Sequence, residues 1–251
     1  MANTIEYGQG AVNNSIGWGQ GAKVGSSFTN TKSVSTDGVD DRVDITHSLT
    51  TSQGSYSAWI KPDLTNGRYF IVSDGGVYRT FIGIYSDSNG KVFAISRISH
   101  ITKWQVETDN SVLNSSNWTH IALVHDGTEP KLYIDGVAVA QTFLNSSDKS
   151  IWWDDFSVTR SKIGARIVQN YTASYWRGVI DEVSIFTTAL SASDVSTIYG
   201  SGVPNDISSL SPLNWYRCGD GDTSPTLTDN GSGGNNGTMV NFTTFSTDVP
   251  T

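Results

Sequence analysis

Residues 117–141 read NWTHIALVHDGTEPKLYIDGVAVAQ, and this stretch decides the fold. Ile121 to Val124 is apolar and partly β-branched, as a strand requires. Asp126-Gly127-Thr128-Glu129-Pro130 supplies turn residues, and Lys131 to Ile134 is a second strand. Asp135-Gly136 is a two-residue loop of the kind that accepts positive φ at both centres, and Val137 to Ala140 leads out of it. Two tight turns so close together force antiparallel neighbours, because parallel pairing needs a long crossover. The centre of the chain is therefore expected to be an antiparallel meander.

Working outward, Tyr56 to Pro62 alternates as a strand that Pro62 ends. Arg68 to Ser73, Thr80 to Tyr85, Lys91 to Ser96, Lys103 to Glu107, Phe156 to Ile163 and Trp176 to Phe186 are further strand candidates, with a strong turn over Ser86 to Gly90. One short helix is expected after Ser191. That serine can cap it, Asp194 sits three residues later at its positive end, and Gly200 suits the left-handed stop. Val195, Ile198 and Tyr199 then share its inward face.

The matches at Trp118, His120, Ala122, Asp126, Gly127, Leu132, Tyr133, Asp135 and Gly136 resemble the laminin-G-like, concanavalin A-like family. Ser33 to Ile45 resembles that family's first strand pair, with Thr36 and Arg42 departing from its usual aromatics. Tyr56 to Pro62, Trp176 to Phe186 and Ala189 to Asp194 resemble later parts of its pattern. The resemblance implies an all-β fold, an antiparallel two-sheet jelly roll. A segment like Pro212 to Asn241 normally opens such a domain, whereas here it follows the closing helix. The expected organisation is thus a Gly-rich arm over 1–29, a jelly roll over 30–200, and a permuted C-terminal segment over 201–251 that completes the same sandwich. In that arrangement Leu213 to Arg217 pairs beside the strands near Ser33 and Val183. Trp215 buries its ring in the sandwich, and Asp229 to Gly237 turns over one end.

Composition narrows the function. Charged residues are 16% of the 251, and the formal net charge is -8. Such a chain repels phosphate backbones, which speaks against nucleic-acid binding. No apolar run approaches the roughly 18 residues of a membrane-spanning helix. Cys218 is the single cysteine, so no internal disulfide exists. The opening MANTIEYGQG has no basic-then-apolar leader, so synthesis in a host cytoplasm without a signal peptide is expected.

Hydrolases of this sandwich class place paired carboxylates on one strand face. The four glutamates are Glu6, Glu107, Glu129 and Glu182. Glu107 and Asp109 lack a second Glu, and the adjacent Asp181 and Glu182 are expected to face opposite sides of their strand, so no enzyme is expected. His120 and His125 have no G-x-S-x-G turn or zinc-ligand spacing beside them and read as strand histidines satisfied by their neighbours. The resemblance implies a structural calcium that would bring together Asp181 and Asp229; otherwise these are turn-capping aspartates, and no cofactor is required. Trp152-Trp153-Asp154-Asp155 and Tyr171 to Trp176 are aromatic candidates for a sugar platform, with core or interface as the alternative.

Tyr7 to Ala11 echoes in Trp18 to Ala22, and the opening Ile5 to Trp18 with the tail Trp215 to Asp222 resembles tailed-bacteriophage virion proteins. The resemblance implies a non-enzymatic virion component: a capsid decoration, head fibre or tail-associated protein partnered by copies of itself and other virion proteins. The alternative is a carbohydrate-binding adhesin module that contacts host glycans.

Overall fold

The meander forms where its turns demand it, and the remaining strands assemble on both sides of the core that it begins. The computed structural model describes residues 28–64, 69–76, 79–168 and 171–251. The echo of Tyr7 and Trp18, Glu6 and nearly all of the Gly-rich arm lie outside the described residues.

In chain order the strands are β1 (Val34–Asp37), β2 (Arg42–Ile45), β3 (Gly54–Pro62), β4 (Tyr69–Gly75), β5 (Phe81–Ser86), β6 (Val92–Ile98), β7 (Ile101–Thr108), β8 (Thr119–His125), β9 (Pro130–Ile134) and β10 (Val137–Ala138). They continue with β11 (Gln141–Ser146), β12 (Arg160–Ile163), β13 (Arg166–Val168), β14 (Tyr171–Ala173) and β15 (Arg177–Phe186). The helix α1 (Ala192–Tyr199) follows, and then β16 (Asn214–Tyr216), β17 (Thr226–Leu227) and β18 (Gly237–Val240). One sheet runs β1-β15-β3-β8-β9-β10, with β16 also on β15; the other runs β11-β7-β6-β5-β4-β12-β2-β18-β17. All pairings are antiparallel, as the jelly-roll expectation requires.

The core lies between the two sheets. Tyr56, Ile60, Ile121 and Leu123 from one face meet Val72, Ile82, Ile84 and Val106 from the other. Strand β8 is buried at every position rather than alternately. Its Ile121 and Leu123 face the other sheet, while Ala122 and Val124 lie in a second apolar cluster with Val195 and Ile198 of α1. Cover on both faces explains why the meander reads as continuously apolar.

Helix α1 is bounded as its sequence suggests. The Asp194 N–H donates to Ser191 Oγ at 3.1 Å and the Ser191 N–H donates to Asp194 Oδ2 at 2.9 Å, a reciprocal cap. Gly200 ends the helix in the left-handed conformation. Gly136 is required twice over: its φ is +79°, and a Cβ there would lie 2.9 Å from Cδ1 of Tyr199 on α1.

Several expectations are corrected. Ser33 to Ile45 does hold two strands, but they do not pair with each other: β1 joins β15 and β2 joins β12 and β18. The Asp37-Gly38 turn carries the chain from one sheet to the other, which a hairpin reading of D-G cannot reveal. Only Arg160–Ile163 of the Phe156 to Ile163 candidate is a strand; a 3₁₀ turn over Trp153–Asp155 precedes it.

Asp181 and Glu182 do not take alternate faces. Three steps along β15, from Asp181 to Ser184, match two along β3, from Trp59 to Ser57. The extra residue is a bulge. Glu182 sits in it at φ +47°, and Ile180 and Val183 both enter the core three positions apart.

The C-terminal segment contributes to both sheets. β3 occupies one edge of β15; on the other edge β1 pairs with residues 177–180 and β16 with 183–185. β18 pairs with β2 in the opposite sheet. The residue of β16 that enters the space between the sheets is Tyr216, not Trp215. Trp215 packs on the outer face in the α1 cluster, its ring 6.2 Å from Phe28 and nearly parallel to it. Its indole N–H donates to Glu182 Oε2 at 2.6 Å.

Two results follow for stability. Trp215→Ala should lower the unfolding free energy in urea by about 3–5 kcal/mol, the range for truncating a buried large aromatic. A chain ending at Val203 exposes the β15 and β2 edges and should aggregate; a soluble 1–203 fragment with a near-native, cooperative urea midpoint would contradict this.

Candidate functional site

Trp59 and Lys61 are two residues apart on β3, so their side chains leave the sheet on the same face. His120 on β8 is the cross-strand partner of Trp59, and their rings lie 5.4 Å apart. The turn after β9 is tied back to β8: the His120 N–H donates to Asp135 Oδ1 at 2.9 Å and the Asp135 N–H to the His120 carbonyl at 2.8 Å. From above, Tyr199 of α1 stacks on Trp59 at 5.6 Å and 23°. The C-terminal segment closes one side. Ser246 bridges to Ser33, which delivers Asp248 between two side chains of the sheet. The Trp118 indole N–H donates to Asp248 Oδ1 at 2.9 Å, and Lys61 Nζ donates to Oδ2 at 2.8 Å.

These elements enclose an open cavity of about 410 Å³, lined by Trp59, Trp118, Tyr199, Asn117, Asp135 and Asp248 among others. Trp118 and Tyr199 are half-buried and Asn117 is exposed. Trp59 is only 3% exposed, and among the described residues its indole N–H is buried without a hydrogen-bond partner. A buried N–H left unpaired costs about 1–3 kcal/mol. Asp135 is held above the usual carboxylate range by burial, against the opposing bond from the His120 N–H. For Asp248, burial acts upward, but the bonds from Lys61 and Trp118 and the lysine charge outweigh it and keep the carboxyl low. His120 is neutral at pH 7: burial takes its imidazole down to about 3, and its Nε2 meets Ser57 Oγ at 2.7 Å. A cavity with aromatic walls, a neutral imidazole beneath and two carboxylates at its rim suits recognition of a hydroxyl-bearing ring more than acid–base chemistry.

The residues singled out from sequence fall elsewhere. Trp152 and Trp153 are fully buried in the inter-sheet core, where Trp152 stacks 4.5 Å from His125, so they form no sugar platform. Trp176 is likewise fully buried, and the side chain of Tyr171 is outside the described residues. His125 is buried, with Nε2 2.8 Å from the Lys149 carbonyl. Glu107 and Glu129 pair with Lys91 and Lys149.

Asp229 holds its own turn together. Its two carboxylate oxygens accept from the N–H groups of Trp215, Gly231 and Asn235 and from the Asn214 amide, at 2.7–2.8 Å. Four donors fill the lone-pair sites of one carboxylate, so Asp229 does not fit as a calcium ligand in this conformation. Asp181 accepts from Asn30 and from the Glu182 N–H. Among the described residues, the three carboxylates close enough to share an ion are instead Asp37, Asp40 and Asp41.

Glu182 gives up both oxygens to neighbours, Oε2 to Trp215 and Oε1 to Arg217 Nε at 3.3 Å. Burial nevertheless raises its carboxyl from 4.5 to about 7, against those two partners, and burial with the Glu182 charge raises Asp181 too. The two side chains that take its oxygens also roof it, since Trp215 and Arg217 line a separate groove with Phe28.

Sequence reasoning passed over the cavity although its parts were in view. Trp59 and Trp118 belong to the strand patterns W-I-K-P and W-T-H, and Tyr199 to the helix face. What no pattern carries is Asp248, which reaches them from 130 positions beyond Trp118.

Residues 37–196 match the family model described as the concanavalin A-like lectin/glucanases superfamily, of laminin-G type. No curated protein matches the chain. Among solved structures, a carbohydrate-binding protein candidate from Bacteroides ovatus shares 17% identity at a TM-score of 0.64, over 89% of this chain and 62% of that one. The Ruminococcus gnavus IT-sialidase CBM40 bound to α2,3-sialyllactose shares 16% at 0.54, over 69% of this chain and 100% of that one. The heptameric SAP-like pentraxin of Limulus polyphemus shares 15% at 0.52, over 68% and 82%. These likenesses concern the fold; the virion setting stays an expectation of the sequence.

The raised Glu182 gives a signed pH effect. A carboxyl whose folded pKa lies above its unfolded value contributes stability that is present below the unfolded pKa and lost as pH rises through the folded one. Here the loss runs from about 4.5 to about 7. Glu182→Gln should flatten the fall in melting temperature across that window; a profile parallel to the parent's would remove Glu182 as its source.

Proposed function

The chain belongs to the concanavalin A-like lectin/glucanases superfamily, and from that premise we propose that it is a glycan-binding module. The sugar ring is held in the cavity between β3, β8, α1 and the C-terminal segment. The observation that carries this is a cavity walled by half-buried Trp118 and Tyr199, with the carboxylates of Asp135 and Asp248 and the amide of Asn117 in its lining. A pyranose suits this lining: it has hydroxyl hydrogens for Asp135 and an apolar ring face for the aromatics. The fold supports the reading, because the Ruminococcus gnavus module holds sialyllactose on the same kind of sandwich.

Binding without cleavage is the expected activity. The carboxylates nearest the cavity are occupied differently from a hydrolytic pair: Asp248 is ion-paired with Lys61, and Asp135 is anchored to the His120 N–H. The virion setting expected from Trp215 to Asp222 adds to this activity rather than competing with it. A decoration or fibre protein that assembles with copies of itself presents many cavities at once, and linked sites raise avidity well beyond that of one cavity.

On a glycan array followed by calorimetry, the purified protein should bind at least one oligosaccharide. Trp118→Ala should weaken that binding by about tenfold or more, equal to about 1.4 kcal/mol, while the melting temperature stays near the parent value. No reducing sugar should be released from any bound glycan. An empty array, or undiminished binding by Trp118→Ala, would refute the assignment.

A further inference from the structure

We infer that this cavity selects neutral glycans over acidic ones, and that Asp135 and Asp248 are the residues that set the preference; this rests on the glycan reading of the same cavity. Charge in the lining is the first ground. It holds two carboxylates, Asp135 and Asp248, and one cation, Lys61. That cation is already engaged, with Nζ 2.8 Å from Asp248 Oδ2. Lys61 Nζ has further hydrogens to offer a ligand carboxylate, but its charge is already offset by Asp248, which together with Asp135 would stand beside the incoming anion. Asp135 and Asp248 are both exposed, so solvent moderates the repulsion, but like charges brought together at a binding surface still count against an acidic partner.

Hydrogen-bonding capacity is the second ground. Asp135 uses Oδ1 for the His120 N–H, and among the described residues Oδ2 has no partner. An ionised carboxylate only accepts, so Asp135 asks for a hydroxyl donor. A sugar hydroxyl supplies that donor, whereas an ionised carboxylate or sulfate group has no hydrogen to give. The aromatic part of the wall, Trp118 and Tyr199, favours the C–H face of a ring. The whole chain reinforces the choice, since a net charge of -8 repels polyanionic glycans before contact. The acidic ligand of the CBM40 fold-mate is therefore the class this cavity disfavours.

The test pairs probes that differ only in an acidic group: lactose against α2,3-sialyllactose, and a neutral glucan oligosaccharide against its counterpart with a glucuronic acid residue. Calorimetry on the full chain should show the neutral member of a bound pair favoured by about tenfold or more. Asp135→Asn should narrow that ratio by about fivefold or more, mainly by improving the acidic probe. Asp248→Asn, at an exposed position in the tail, should narrow it in the same direction and guards against a folding defect in the first variant. Tighter binding of the acidic probe, lost in Trp118→Ala, would overturn this inference and leave the glycan reading intact. A ratio unmoved by both asparagine variants would overturn it as well. If neither probe of any pair binds, this inference fails, while the glycan reading stands or falls on the array.

Discussion

Asp74 is a fully buried carboxylate between two apolar sheets, and the fold has to satisfy it. A charge taken out of water costs several kcal/mol unless it is paired and hydrogen-bonded. The Tyr56 hydroxyl and the Ser161 hydroxyl both donate to it, one from each sheet. Ser161 has one hydrogen and gives it to Asp74, so the imidazole of His47, against the same Oγ, must bring its own. His47 already donates from Nδ1 to Asn214 Oδ1 at 3.0 Å. With Ser161 donating to Asp74, the network is completed when the imidazole donates from both nitrogens, and Nε2 lies 3.6 Å from Asp74 Oδ1. Burial pulls the imidazole pKa down, but the bond and charge of Asp74 outweigh it and the net shift is upward. Asn214 in turn donates to Asp229. The chain of donors and acceptors that begins at Asp74 thus ends in the turn after β16. Without those C-terminal residues the buried network of Asp74 and His47 would lose the amide that His47 bonds to.

The same segment accounts for the defect in β15. Two separate strands share one edge of β15, β1 over its first half and β16 over its second. Between them the strand bulges, and the bulge holds Asp181 and Glu182. Trp215 and Arg217, which follow directly from β16, supply the donors that Glu182 needs. Arg217 also lies over the Phe28 ring at 4.2 Å, so charge and aromatic packing are joined at this point. Thirty residues later the chain recrosses the same sheet and delivers Asp248 to Trp118 and Lys61.

How much of this could be read from sequence depended on range. The meander, the helix cap at Ser191 and the stop at Gly200 are local, fixed by turn residues within a few positions of one another, and they were legible. The pairing of Leu213 to Arg217 beside Val183 was legible because the segment has a pattern of its own, and β16 does pair there. The failures share a cause. The D-G turn at Asp37-Gly38 looks the same whether it closes a hairpin or changes sheets. Strict alternation was assumed at Asp181 and Glu182, yet a bulge is set by what pairs on the two edges. Trp152 and Trp153 looked like a loop platform because adjacent tryptophans defy period two, while a 3₁₀ turn at Trp153 lets both enter the core. Asp248 had no local signal at all; its role exists only through contacts more than a hundred positions away.

The cavity shows why recognising the family and recognising the function are different problems in this chain. Trp59, Trp118, Asp135 and Gly136 are pattern positions, and each has a task in the fold: Trp59 carries Tyr199, Asp135 ties the turn to β8, and Gly136 leaves room for α1. A pattern built on such residues detects the sandwich whether or not any ligand binds. What turns the surface into a site is a set of features outside the pattern: a tail that places one carboxylate between a lysine and an indole, and an indole N–H that the fold leaves unpaired. An unpaired buried donor is a cost that the packing of β3 against α1 does not recover. On the glycan reading, the exposed acceptors of Asp135 and the half-buried rings of Trp118 and Tyr199 restrict which ligand can settle in the cavity.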